Sequence, residues 1–188
     1  MTTGSLRTKE VILAAARAEF AAHGMAGGRV DRIAKAAGAN VQRIYAYYGD
    51  KQGLFDTVVR GAAQSLSTAI GGRQPNIEAF AGAAFDYVVQ NPGNTRIMTW
   101  ARLERENEFF EMIEIGLEEM TPIQAIADLQ SLGLVTSAWD AATLLEAIIA
   151  LSERWHSNSP TYGGGEVAQH RELVLTFART LVTEPATS

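Results

Sequence analysis

Apolar residues recur three and four positions apart along almost the whole chain, and no stretch alternates with period two for long enough to suggest a sheet. The pattern predicts an all-α protein of about nine helices. Ile12, Ala15, Ala16, Glu19 and Phe20 share one face of a first helix that His23-Gly24 closes, Gly24 being suited to a left-handed C-terminal position. After a Gly27-Gly28 loop, Val30, Ile33, Ala34 and Ala37 mark a second helix from about Arg29 to Ala37, ended by Gly38. Asn40 is a good N-cap for a short third helix with Ile44, Tyr45 and Tyr48 on its inner side.

Asp50 caps a fourth helix from Lys51 to roughly Ile70, whose apolar positions Leu54, Phe55, Val58, Val59, Ala62 and Leu66 keep the helical period. Gly71-Gly72-Arg73-Gln74-Pro75 is the clearest break, and others fall at Asn91-Pro92-Gly93, Thr121-Pro122, Ser131 to Leu134 and Ser157 to Gly165. These divide the chain into a helix-turn-helix unit over residues 1–50, a bridging helix over 51–70 and a larger helical unit over 71–188.

The longest apolar run, Val11 to Ala16, is far shorter than the roughly 20 residues that cross a bilayer, and charged residues on both sides argue against a signal peptide. No membrane partner is expected, and the chain reads as cytoplasmic. With no cysteine, it has no disulfide framework, thiol nucleophile or Cys-based zinc site. The net charge of −5 hides an uneven distribution. Residues 1–60 hold nine basic and five acidic groups, while residues 61–188 hold seven basic and sixteen acidic ones. A small basic unit joined to a larger acidic one is the arrangement expected if only the first meets a polyanion.

The residues around Gly38-Ala39-Asn40 say which polyanion. Glycine allows positive φ between two short helices, Asn40 satisfies free amides at the start of the second, and small Ala34 and Ala37 let the helices cross closely. The second helix of such a helix-turn-helix can enter a major groove about 12 Å wide. Tyr45, Tyr47, Tyr48 and Lys51 follow, supplying hydroxyls and an ammonium that can grip phosphates. Double-stranded DNA is the expected partner.

The run Ile33-Ala34-Lys35-Ala36-Ala37-Gly38-Ala39-Asn40, then Ile44-Tyr45-Ala46-Tyr47-Tyr48, then Lys51-Gln52-Gly53-Leu54-Phe55 resembles the signature of the TetR (tetracycline repressor) family. The resemblance covers about residues 8 to 55. It implies a homodimeric, ligand-responsive transcriptional regulator, typically a repressor, with three DNA-binding helices, a bridging fourth helix and a ligand-binding, dimerising C-terminal domain. It further implies that Val41, Gln42 and Arg43 meet bases or adjacent phosphates, and that Tyr47 and Lys51 meet the backbone. Arg43 either takes guanine in a bidentate pair or meets a phosphate. Tyr45 either packs beneath the recognition helix or contacts DNA. The chain departs from the family pattern at Arg29, where Thr or Ser usually caps the second helix, so a cation stands near the DNA backbone there. It also has Asn40 where serine is frequent and Gln42 where glycine is frequent.

In the larger unit, Phe85, Met98, Trp100, Phe109, Met112, Met120 and Trp139 are candidate walls of a pocket for an unidentified small-molecule effector, with Tyr87, Arg96, Arg102 and Glu104 as polar contacts. Seven glutamates between Glu104 and Glu119 read as a solvated face before a cation site. An eighth helix, about Asp140 to Trp155, and a ninth, about Glu166 to Thr183, are apolar on more than one face. Leu145, Ile148, Ile149, Trp155, Val174, Phe177 and Leu181 are candidates for a homodimer interface of four helices. His23, His156 and His170 lie in separate segments without metal-ligand spacing, and no nucleophile elbow or Walker sequence is present. The reading is therefore of a non-enzyme with no cofactor and no metal. A constitutive or architectural DNA-binding protein is the rival.

Overall fold

The computed structural model of the 188-residue chain describes residues 3–109, 121–153 and 164–183. Among these are nine α-helices: α1 (Thr3–Gly27), α2 (Val30–Ala37), α3 (Val41–Tyr48), α4 (Lys51–Ile70), α5 (Ile77–Gln90), α6 (Pro92–Glu104), α7 (Pro122–Ser131), α8 (Ala141–Glu153) and α9 (Gly164–Arg179). A short 3-10 turn, Glu106–Glu108, follows α6. The chain is all-α as expected, and the described residues carry only an isolated antiparallel bridge between Val135 and Val182. They divide into two compact units, Met1–Gln64 with Gly93–Gly116, and Ser65–Pro92 with Leu117–Ser188.

In the first unit, Ile12, Phe20, Ile33, Ile44, Leu54 and Phe55 are fully buried, and the Phe20 and Phe55 rings meet edge to face at 5.1 Å. Helices of eight residues such as α2 and α3 are marginal alone, so this shared core is what holds them, at about 1.5–3 kcal/mol per buried side chain. Ile97 and Ala101, one turn apart on α6, complete the same core. Tyr45, expected on the inner side of the third helix, is instead 41% exposed. The inner face is set by the spacing of Val41, Ile44 and Tyr48, and Tyr45 lies about 100° round the helix from Ile44.

In the second unit, Phe80, Phe85, Ile126, Leu144, Ile148 and Val174 form the core, with Ala81, Ala84 and Ala178 allowing close helix approach. Thr121 caps α7 through its hydroxyl and Pro122 takes the first helical position, where its missing N–H costs nothing. The same tolerance lets α6 start at Pro92 itself, so the break expected at Asn91-Pro92-Gly93 is present and takes one residue, Asn91, between α5 and α6. The last helix stops at Arg179, short of the expected Thr183, because Leu181 turns its carbonyl to the Thr136 amide at 2.8 Å and Val182 bridges to Val135.

Candidate nucleic-acid interface

The first unit is shaped by a break near the end of α1. Gly24 takes φ 67° and ψ −174°, a combination reserved for glycine, and a Cβ there would fall 2.7 Å from Glu104 Oε1 and 2.9 Å from the Trp100 ring. The break frees backbone amides, and the Glu104 carboxylate accepts from the Met25 N–H at 2.6 Å and the Ala26 N–H at 3.2 Å. Arg96 Nε donates to the Ala21 carbonyl at 3.0 Å, and Lys51 Nζ donates to the Ala26 carbonyl at 3.1 Å. Arg105 pairs with Asp56 at 3.1 Å and with Glu108. Burial nonetheless holds the Asp56 carboxyl above its ordinary range, outweighing the nearby Arg105 and Arg60 charges.

Past the break, one carboxylate organises the entry to α2. Glu19 Oε1 accepts from the Arg29 N–H at 2.9 Å and from Arg32 Nε at 2.8 Å. Burial alone would raise the Glu19 carboxyl, but the Arg32 hydrogen bonds, the Arg29 amide and the Arg32 charge outweigh it and hold the group below its ordinary value. Arg29 occupies the N-cap with extended backbone but gives no side-chain cap; its guanidinium is turned to Asp31 at 3.1 and 2.8 Å. The departure from the family pattern thus introduces a cation that is neutralised locally.

Gly38, at φ 60°, ends α2 in a Schellman turn, with Ala39 N–H bonded to Ala34 carbonyl and Gly38 N–H to Lys35 carbonyl. Asn40 caps α3, its Oδ1 accepting from the Arg43 N–H at 2.7 Å, and Asp50 Oδ1 accepts from the Gly53 N–H at 2.8 Å at the start of α4. Gln42, Arg43 and Tyr45 are exposed on α3, while Val41 is half-buried against the core. At the other end of α3, Tyr47 and Tyr48 meet edge to face at 6.1 Å, and Lys9 of α1 places its ammonium 5.0 Å from the Tyr47 ring centroid. The Tyr48 hydroxyl, its pKa raised by burial and then by the neighbouring Tyr47, donates to the Lys9 carbonyl at 3.3 Å. Sequence reading did not single out Lys9, Glu19 or Glu104 for this region. A helix broken by glycine leaves amides that need an acceptor, but only the fold shows which carboxylate supplies it.

The candidate effector residues do not gather within either unit. Phe85 lies in the core of the second, whereas Met98, Trp100 and Phe109 pack with the core of the first and Arg102 stacks over Phe109 at 5.4 Å. Arg96 and Glu104, expected as polar ligand contacts, are occupied by backbone groups of α1 because the Gly24 break exposes them. Trp139 is 61% exposed, on a loop held by Gln130 rather than on a helix face, and Met112 and Met120 lie outside the described residues. A shallow, open cleft of about 550 Å³ runs instead along Ser65, Thr68, Asp86, Tyr87, Gln90 and Asn91, of which the sequence singled out only Tyr87.

Of the candidate interface residues, Ile148, Val174 and Leu181 are buried in the chain's own core: the inward stripes of α8 and α9 run through Leu144 and Ile148 and through Val174, Ala178 and Leu181. Leu145, Ile149 and Phe177 stay half-buried at the edge of that core, and Leu173 is exposed. Trp155 lies outside the described residues. Among the described residues, no group of three His, Asp or Glu side chains is placed to hold a metal, and no helix is long and apolar enough to cross a membrane.

Comparison with known proteins agrees with this architecture. The family description "Bacterial regulatory proteins, tetR family" matches residues 12–58, and "Tetracyclin repressor-like, C-terminal domain" matches residues 76–183. The chain is 34% identical over 183 residues to an HTH-type transcriptional repressor of Streptomyces coelicolor, covering 93% of this chain and 95% of that one. It is 32% identical over 107 residues to the nucleoid occlusion factor SlmA of Haemophilus ducreyi, covering 49% and 53% of the two chains. The crystal structure of a second Streptomyces coelicolor protein, described as a transcriptional regulator, superposes with a TM-score of 0.71 at 30% identity over 95% of this chain and 99% of that one. With an Asn40-capped recognition helix behind a glycine turn and both halves matched, the chain belongs to the TetR family of DNA-binding transcriptional regulators.

Proposed function

We propose that the chain is a homodimeric repressor that reads a near-palindromic operator and is released from it by a small-molecule ligand. The observation that carries the DNA-reading part is α3 itself: capped at Asn40, pinned by Ile44, and exposing Gln42, Arg43 and Tyr45 together. Arg43 is suited to a guanine at its O6 and N7 edge, worth about 1–3 kcal/mol of discrimination, with Gln42 beside it and Val41 at the helix base. Asn40 spends its oxygen on the cap and keeps its amide nitrogen for a phosphate. Tyr47 and Lys51 are assigned to the backbone, Lys51 exchanging the Ala26 carbonyl for a phosphate oxygen. Arg29, paired with Asp31, contributes less than its charge alone implies.

Two recognition helices about 34 Å apart would fit successive major grooves. Leu145, Ile149, Leu173 and Phe177 are the side chains of α8 and α9 available to a second copy. The likeness to a repressor over nearly the whole chain supports repression. A second reading, a DNA binder without effector, is favoured by the open form of the cleft along α4 and α5 and by the half-chain likeness to a nucleoid occlusion factor.

Selection of bound DNA from a random duplex library, sequenced at two salt concentrations, tests the proposal. An inverted repeat with steep salt dependence is expected. Failure to enrich any sequence with folded, dimeric protein overturns it. A screen of small molecules against the enriched site then separates the two readings, since an effector must weaken DNA binding and be weakened by DNA to the same degree.

A further inference from the structure

Lys9 of α1 touches the end of α3 through both its backbone and its side chain. Lys9 is held at both ends. Its carbonyl accepts from the Tyr48 hydroxyl at 3.3 Å, and its ammonium sits 5.0 Å from the centre of the Tyr47 ring. The ring face attracts the cation without neutralising it, so the charge and the N–H donors stay available to an anion. Other cations of this unit are spent differently: Arg29 on Asp31, Arg32 on Glu19 and Arg105 on Asp56.

Arg43 and Tyr47 are four residues apart and therefore share one face of α3. The Lys9 ammonium lies alongside the far end of the row that Arg43 begins. A lysine fixed by its backbone and by a ring also loses less rotamer freedom on meeting a ligand than a free one would. We propose that Lys9 and Tyr47 form a clamp for one backbone phosphate of duplex DNA, flanking the bases that α3 reads. This rests on the DNA-reading function proposed above.

The test measures affinity of the full-length protein against sodium chloride concentration, using a random-sequence duplex of about 30 base pairs and the duplex enriched by selection. Each phosphate contact contributes about 0.9 to the slope of log K against log salt. Lys9→Gln is expected to lower that slope by about 0.9 per bound protomer on both duplexes while leaving the enriched sequence unchanged, and Lys9→Arg is expected to restore it. Tyr47→Leu is expected to cost less affinity in the Lys9→Gln background than alone, as partners in one clamp should. Thermal melting of each variant separates a lost contact from a lost fold, because a purely structural Lys9 would shift the melting temperature and leave the slope of the bound fraction intact. If Lys9→Gln keeps the wild-type slope, or shifts the selected sequence, the clamp is wrong and the DNA-reading function stands. If the wild-type protein binds neither duplex, both fall together.

Discussion

Both compact units cap their helices with side chains, Asn76, Thr121 and Asp140 serving in the second, and they differ in how much depends on those caps. In the first, Glu104, Glu19, Asn40 and Asp50 each end on a backbone amide at a break or a helix start, so polar chemistry sets where short helices begin. In the second, the ion pairs tie one helix to another: Arg171 grips Asp86 at 2.8 and 3.0 Å, and Arg179 reaches Glu78 at 3.2 Å. Helices α2 and α3, with eight residues each, depend on caps and a shared core to exist at all, whereas α5 and α9, with 14 and 16 residues, present several turns of apolar side chains to their core. The first unit is consequently specified residue by residue, and the second by pattern.

That contrast can be broken most forcefully at Gly24. Gly24→Ala puts a methyl group into Glu104 and Trp100 at a backbone conformation alanine rarely takes, and should cost about 2–4 kcal/mol in a denaturant titration. A cost below about 1 kcal/mol would mean that the break is not locked. Glu19→Gln should cost about 1–2 kcal/mol at pH 7, from lost charge-assisted hydrogen bonds. Because the folded carboxyl lies below its unfolded value, the stability that Glu19 contributes is complete above the unfolded value of about 4.3 and disappears as pH falls through the folded one. The gap between wild type and Glu19→Gln should therefore narrow in melts taken at successively lower pH below about 4.3, and a gap independent of pH would remove the electrostatic account. The smallest effects come from a matched pair of caps. Asn40→Ala and Asn76→Ala each remove an amide oxygen that accepts from the N–H three residues on, at 2.7 and 2.8 Å, and each should cost about 1 kcal/mol. Only Asn40→Ala should also weaken binding to an enriched duplex beyond its effect on stability. Equal losses of DNA affinity would show that α3 has no special standing.

How much was legible follows the same division. Gly38, Asn40 and Asp50 declared the turn and both helix starts, and the structure has all three in those roles. Tyr45 was placed on the wrong side because an aromatic residue next to Ile44 looks apolar in composition while the helical angle carries it outward. The candidate effector residues fall in two cores, Phe85 in one unit and Met98, Trp100 and Phe109 in the other, because size and apolarity mark a core position as readily as a pocket wall. Ile148, Val174 and Leu181 lie in the chain's own core, since a helix apolar on several faces does not say which face its own chain will cover.

By itself, then, the sequence determined the all-α class, the helix-turn-helix and the separation of a basic first part from an acidic remainder, because these depend on period, on local backbone chemistry and on composition. Only the tertiary structure decided that residues 93–109 pack with the N-terminal helices, that Glu104 completes the end of α1 and that Lys9 lies over Tyr47. Each of these joins groups 38 or more residues apart, and the choice of partner among many similar carboxylates and cations is made by the packing of Ile97 and Ala101 on one side and of Ile12 and Ile44 on the other.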